Sequence, residues 1–319
     1  MKKLTRTETA QWLLERDRFC ILTHRKPDGD TAGSAAALCL GLRSLGKQAW
    51  ILKNEELTPR NAPLHQGLTK DTPEAEDILV AVDVASPGML PKAFAPLADR
   101  VSLRIDHHGS ATSFTELELV DPNAGACGDM IYDLFMELWV ELDEKMATAL
   151  YTAVATDTGC FRFANTTDHS FLVAAACAGA GAPVFRMNQE LFETVSLGRL
   201  RLQGWMVENA VFLCGGRAVI CAIPRKKEQE LGLTEDDLDN ISSFPRTIAG
   251  VCMAVTLRET PEGSKASVRA IPGYDAAAVC QRFGGGGHKG AAGASLALPL
   301  AEAEEAFKAA LTEAMEGTL

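Results

Sequence analysis

Five consecutive apolar residues, Ile78-Leu79-Val80-Ala81-Val82, run without interruption into Asp83. Unbroken rather than alternating apolarity is what a strand buried on both faces requires, and such strands belong to parallel sheets covered by other elements. Leu103-Arg104-Ile105 resembles that arrangement and ends in Asp106-His107-His108-Gly109. Phe19–Thr23 ends in a third polar tip, His24-Arg25-Lys26-Pro27-Asp28-Gly29-Asp30. In an open α/β sheet, chemistry collects just beyond the carboxyl ends of the strands. Strand ends that carry acids and histidines therefore constrain fold and function together.

The intervening segments read as helices at 8–17, 31–45, 128–140, 144–155 and 168–179, with a further strand at 48–53 and a short helical stretch near 89–97. Residues 54–76 are rich in proline and charge and read mostly as loop. Alternating strands and helices predict an α/β domain with a doubly wound, mainly parallel sheet. Gly33, Ser34 and Ala35–Ala37 make the helix at 31–45 small-sided, which suits close packing on the sheet. A proline-free helical pattern over 191–212 predicts a connecting helix. Strands at 217–223, 248–257, 266–271 and 294–298 then mix with helices at 275–283 and 301–315 and a four-glycine loop, as in a smaller α+β domain. A chain of 319 residues is long for one core. The expected division is a metal-binding catalytic domain at 1–190, the connecting helix at 191–212, and a substrate-binding domain at 213–319.

The formal net charge of −11 disfavours long polynucleotides, whose binding needs many lysines and arginines. Arg225-Lys226-Lys227, the one basic run, reads as solvent-facing. No apolar run approaches the roughly 20 residues of a membrane span. The nine cysteines form no C-x-x-C pair and read mostly as small core residues. Their odd number and the lack of a signal-like start lead to the expectation of a cytoplasmic protein.

The candidate metal ligands are His24, Asp28, Asp30, Asp83, His107 and Asp157, the last within Thr156-Asp157-Thr158-Gly159. Gly29 would let the backbone fold back between Asp28 and Asp30. So many acids beside two histidines are too oxygen-rich for a closed tetrahedral zinc site. Mixed carboxylate and imidazole ligation suits Mn²⁺, with Mg²⁺ or Co²⁺ as substitutes. Six ligands serve two divalent ions if one carboxylate bridges, and Asp83 is the expected bridge. Ion pairs of this kind clamp the attacking and leaving oxygens of phosphoryl transfer. Taken singly, each acid could instead be a helix cap or turn former. Farther along, Gly284-Gly285-Gly286-Gly287 precedes His288, and backbone N–H groups of such a run can approach a phosphate closely.

His24…Asp28-Gly29-Asp30, Asp83, Asp106-His107-His108 and Thr156-Asp157-Thr158-Gly159 resemble, in order, the four motifs of the DHH phosphoesterase family. Gly284–Gly293 resembles the G-G-G-H-x-x-A-A-G signature of that family's associated C-terminal domain. Size and layout are most similar to the branch that hydrolyses very short RNAs and 3′-phosphoadenosine 5′-phosphate (pAp). The resemblance implies one metal on His24, Asp28 and Asp83 and another on Asp30, Asp83, His107 and Asp157. It implies that His108 faces the scissile phosphate and that Asp106 orients the turn or a histidine. It also implies that Arg269, His288 and the loop residues Gly285, Gly286 and Gly287 hold a far phosphate across a cleft. Ala270 and Cys127 depart from the family, which commonly has hydroxyl residues at or near those positions. The expected partners are short RNA or a small nucleotide, with no membrane and with a homodimer left open. Two alternatives remain at this stage: hydrolysis of linear or cyclic dinucleotides, and non-catalytic, metal-dependent nucleotide binding.

Overall fold

The computed structural model describes residues 2–109, 114–238 and 240–317. They divide into two compact units, Met1–Thr194 and Val195–Leu319.

The first unit is built on a seven-stranded sheet. Its strands are β1 (Lys2–Lys3), β2 (Phe19–Leu22), β3 (Ala49–Leu52), β4 (Thr69–Lys70), β5 (Ile78–Val82), β6 (Val101–Asp106) and β7 (Leu117–Val120). All pairings are parallel, in the order β1-β7-β6-β5-β2-β3-β4. From β2 the chain winds one way to β3 and β4, then returns to β5 on the other side of β2. The β2/β5 boundary is therefore the topological switch point, where the crevice of an open sheet lies. The unbroken run Ile78–Val82 is β5 itself. Val80 and Val82 enter the main core, whereas Leu79 and Ala81 enter a second apolar cluster on the opposite face.

Five α-helices cluster around the main core: α1 (Arg6–Leu14), α2 (Gly29–Ser44), α3 (Cys127–Leu138), α4 (Glu144–Asp157) and α5 (Asp168–Gly179), with the one-turn α6 (Val184–Asn188) beyond. Leu90 and Phe94 cover the other face. The short helix expected at 89–97 is replaced by 3-10 turns at Pro87–Met89 and Ala95–Arg100, where Pro87 and Pro96 sit in the first turn. At Gly33 the small start of α2 is used for close packing on α4. A Cβ on Gly33 would lie 2.3 Å from the Ala149 carbonyl oxygen.

The helix expected at 191–212 is shorter. Gln189–Glu193 forms a π turn, and α7 spans Leu197–Glu208. Leu202 and Met206 of α7 are buried with Val219, Cys221 and Ile223, so α7 packs within the second unit. That unit's strands are β8 (Val211–Leu213), β9 (Ala218–Ile223), β10 (Met253–Thr260), β11 (Gly263–Ala270), β12 (Gly286–Gly287) and β13 (Ala291–Leu296). Their order is β12-β13-β11-β10-β9-β8, parallel only between β9 and β10. Two short helices, α8 (Arg225–Glu230) and α9 (Glu235–Leu238), precede β10. Helices α10 (Ala276–Gln281) and α11 (Leu300–Glu316) cover the sheet face opposite α7. Among the described residues no helix is long and apolar enough to cross a membrane.

Candidate active site

Three neighbouring strands of the first unit deliver the polar tips to one place. His24 follows β2, Asp83 follows β5, and Asp106, His107 and His108 end or follow β6. Helix α2 begins in the same crevice and α4 ends there, adding Asp28, Asp30 and Asp157.

Asp83 is at the centre. Its Oδ2 lies 3.7 Å from His24 Nε2, and its Oδ1 lies 3.6 Å from His107 Nε2 and 3.5 Å from His108 Nδ1. The residue is buried, and Oδ1 has no hydrogen-bond partner. It also adopts left-handed backbone geometry, φ +59°, uncommon outside glycine and a form of strain that clusters at functional sites. Its N–H is held by the Ile105 carbonyl, which fixes the turn against β6.

Two imidazoles are oriented by backbone carbonyls. His24 Nδ1 lies 2.7 Å from the Arg25 carbonyl and His107 Nδ1 lies 3.3 Å from the Ala124 carbonyl. A carbonyl only accepts, so each Nδ1 carries the proton and the neutral ring has its Nε2 lone pair free, the arrangement usual for metal-ligating histidine. His24 Nε2 points to Asp28 Oδ1 at 3.6 Å, and His107 Nε2 points to Asp30 Oδ2 at 3.6 Å and Asp157 Oδ2 at 3.7 Å. Three groups of donors are close enough to share a cation: His24 with Asp28 and Asp83, Asp30 with His107 and Asp157, and Asp83 with His107 and His108. In the third, His108 Nδ1 is already engaged by Asp106 Oδ1 at 2.7 Å.

The carboxylates have second duties that the sequence pattern left open. Asp28 is the N-cap of α2, accepting the N–H groups of Asp30 and Thr31. Asp30 accepts the N–H groups of Cys127 and Gly128 at 2.7 and 3.0 Å and the Ser34 hydroxyl at 2.9 Å. It thereby satisfies the start of α3, which has no capping side chain of its own. Asp157 Oδ2 accepts from Asn165 Nδ2 at 3.0 Å. Gly29 is required for a different reason from the one its sequence position implied. It lies within helix α2, and a Cβ there would meet Thr156 Oγ1 at 2.3 Å.

The donor set fits divalent cations. Burial above all, reinforced by neighbouring carboxylates, pushes Asp83 well above the usual carboxylate range. Burial likewise raises Asp30 to about 7 and Asp157 to about 6, with His107 opposing the rise and adjacent acids adding to it. Burial disfavours the protonated forms of His24 and His107, yet the facing acids lift both above the ordinary histidine value. A bound cation would stabilise the charged forms of these buried carboxylates and give the unpartnered Asp83 oxygen a partner.

Several participants were not singled out in the sequence. Arg104 supports Asp106 and Asn165 supports Asp157, while Glu118, outside the site, pairs with Arg104 across the strands. Asn54 donates to the His24 carbonyl, Asn61 to the Pro27 carbonyl, and Thr31 Oγ1 to the Val82 carbonyl beside Asp83. A charged residue between the buried Leu103 and Ile105 of β6 was a usable signal for Arg104. The asparagines carry none.

In the second unit, the expected four-glycine loop is partly an edge strand. Gly286 and Gly287 form β12, and His288 and Ala291 exchange backbone hydrogen bonds that close a hairpin. Cβ atoms on Gly285 and Gly287 would lie 2.2 Å from the Gly293 oxygen and 2.6 Å from the Ala291 oxygen. Close backbone approach thus explains these two glycines, while Gly286 faces open space and His288 is exposed. Arg269, on β11, is in register with Ala291 of this hairpin. Its Nε contacts Ser243 Oγ at 3.4 Å, and burial, then the nearby Arg246, lowers its pKa.

Residues 18–154 match the DHH family, N-terminal domain, and residues 215–317 match the DHHA1 domain. The chain is 36% identical to the bifunctional oligoribonuclease and PAP phosphatase NrnA of Thermus thermophilus, over 92% of this chain and 89% of that protein. The chain belongs to the DHH phosphoesterase family. As a member it is a hydrolase of phosphate ester bonds. The Bacillus subtilis protein of the same description is 26% identical, over 91% of this chain and 93% of its own length. The crystal structure of an exopolyphosphatase-related protein from Bacteroides fragilis has the same fold, with a TM-score of 0.89, 21% identity, and coverage of 98% and 97% of the two chains.

Proposed function

We propose that this DHH protein is a dimetal phosphoesterase acting on short oligoribonucleotides and on pAp, with Mn²⁺ as its preferred ion. The observation that carries the proposal is Asp83: a buried carboxylate with an unpartnered oxygen, facing three imidazoles and shared between two potential cation sites. His24, Asp28 and Asp83 would hold one ion, and Asp30, Asp83, His107 and Asp157 the other. When bound, such ions polarise a phosphoryl oxygen and lower the pKa of water.

The chain's own groups then divide the work. Asp106 holds Nδ1 of His108, leaving Nε2 as the ring nitrogen that faces substrate as hydrogen-bond donor and acid to the leaving oxygen. Backbone carbonyls fix the His24 and His107 rings. Arg269 and His288, with Gly285, Gly286 and Gly287 shaping the hairpin, bind the substrate's terminal phosphate. A guanidinium suits that ligand because its N–H groups form a planar fork. The names of the Thermus and Bacillus relatives support the choice of substrate.

The test is a panel of pAp, oligoribonucleotides of two to about twenty-four nucleotides and cyclic dinucleotides, assayed after chelation and after return of Mn²⁺, Mg²⁺ or Co²⁺. Turnover that is absent in stripped protein, returns best with Mn²⁺ and favours pAp and short linear RNA supports the assignment. Full activity without metal, or equal rates at every length, refutes it.

A further inference from the structure

Arg104 is one of the largest completely buried side chains in the protein. It stands opposite Glu118 in the β6–β7 register, and its Nη2 lies 3.1 Å from Glu118 Oε1. A cross-strand ion pair needs no more than that. The other terminal nitrogen, Nη1, turns towards the Asp83 and Asp106 strand tips instead. It donates to the Ala85 carbonyl at 3.1 Å, reaches the Val84 carbonyl at 3.5 Å, and contacts Asp106 Oδ2 at 3.3 Å. Asp106 is fully buried, and its other oxygen receives His108 Nδ1 at 2.7 Å and the His108 N–H at 3.3 Å.

We propose that Arg104 is a positioning residue for phosphate-ester hydrolysis: one guanidinium fixes the Asp106 carboxylate that orients His108 and the Val84–Ala85 backbone that follows Asp83. Two strand tips are thereby held in a common frame. The energetics favour a role beyond stability. A buried ion pair gains little over well-packed apolar residues, so a charged pair here is poorly explained by folding alone. The fork geometry matters as well. Lysine could still neutralise Glu118, but a single ammonium cannot serve Glu118 in one direction and Asp106 with Ala85 in another.

The inference rests on the assignment of His108 and Asp83 to phosphoester hydrolysis, so its test needs a readout besides turnover. In the Mg²⁺-loaded, diamagnetic protein, the His108 Nδ1 proton bound to Asp106 should give a slowly exchanging downfield proton resonance, absent from Asp106→Asn. Arg104→Lys should shift or lose that resonance while melting cooperatively. Its kcat should fall by roughly 10–100-fold, the usual cost of losing such support, with KM within about twofold. Glu118→Gln, which leaves the fork to Asp106 and Ala85, should keep the resonance and most of kcat. If Arg104→Lys does not fold, the neutral pair Arg104→Gln with Glu118→Gln takes its place with the same expectations. The proposal is overturned if a folded Arg104 variant keeps both the resonance and kcat, or if Glu118→Gln costs as much as Arg104→Lys. It is also overturned if the wild type lacks the resonance, a result that does not depend on any variant folding. Should the wild type hydrolyse no phosphate ester, the functional assignment falls, while the resonance comparison still decides whether Arg104 positions His108.

Discussion

Replacing Asp83 by asparagine separates the cation-binding role of this residue from its place in the fold. The substitution keeps shape and removes one charge. Oδ1 has no hydrogen-bond partner, and burial and adjacent acids oppose its ionisation, so in the metal-free protein the substitution removes an unfavourable buried carboxylate. The melting temperature of the metal-free variant should equal or exceed that of the metal-free wild type. The metal-bound state should behave in the opposite way. Unit charges about 4 Å apart interact by about 4 kcal/mol at an effective dielectric near 20, so losing one carboxylate charge beside a divalent ion costs at least that much. A loss of that size is nearly three powers of ten in rate or affinity. Calorimetric titration with Mn²⁺ should therefore show fewer than two ions bound at wild-type affinity, and kcat on pAp should fall about a thousandfold. Scanning calorimetry with and without Mn²⁺ supplies the control: the thermal shift on loading should shrink although the metal-free melt does not. Two tightly bound ions and a near-normal rate in Asp83→Asn would refute the reasoning, as would a large loss of stability in the metal-free variant.

Arg269→Ala should slow cleavage of pAp and dinucleotides by about 2–3 kcal/mol of activation free energy, the value of a charged hydrogen-bonded contact. It should leave a small activated diester nearly unaffected, and steady-state rates on both substrates check this. Gly285→Ala should lower stability by about 1–3 kcal/mol, because its Cβ would overlap the Gly293 oxygen at 2.2 Å, whereas Gly286→Ala, facing open space, should melt close to wild type. Asp77 carries a buried carboxyl. Burial alone would raise its pKa, but Lys70 and the Glu74 N–H bind the ionised form more strongly and lower it below the ordinary aspartate value. A depressed folded-state pKa means the contribution is present above the unfolded value, about 3.9, and is lost as pH falls towards the folded one. Asp77→Asn should reduce denaturant stability at pH 7 and flatten its decline below about pH 4.

How far the primary structure specifies this protein depends on the distance over which each cause acts. The unbroken apolarity of Ile78–Val82 and the polar tips of neighbouring strands are local facts. They were enough to identify a parallel α/β sheet and the acids and histidines of its strand tips, while the family was legible only through the resemblance of the four motifs and the glycine-histidine signature. A parallel strand has to be apolar on both faces, and its end is the first place where polar groups can be exposed to a ligand. Local pattern also located α5 and α11 closely, since caps and periodicity lie within the segment itself.

What the tertiary structure alone decided are relations between distant segments. The purpose of Gly29 is set by Thr156 on another helix, and that of Gly33 by the Ala149 carbonyl. The run Gly284–Gly287 reads as a flexible loop until β13 is placed beside it, where the missing side chains permit backbone contact. Strand β7 escaped notice because Leu117–Val120 is short and interrupted by Glu118, whose partner Arg104 lies on the adjacent strand. Asp30 as cap for α3, Asn165 behind Asp157 and Arg104 behind Asp106 follow the same rule. A residue's type tells which bonds it can make, but only the packed chain brings the partner within the few ångströms at which a hydrogen bond or ion pair forms.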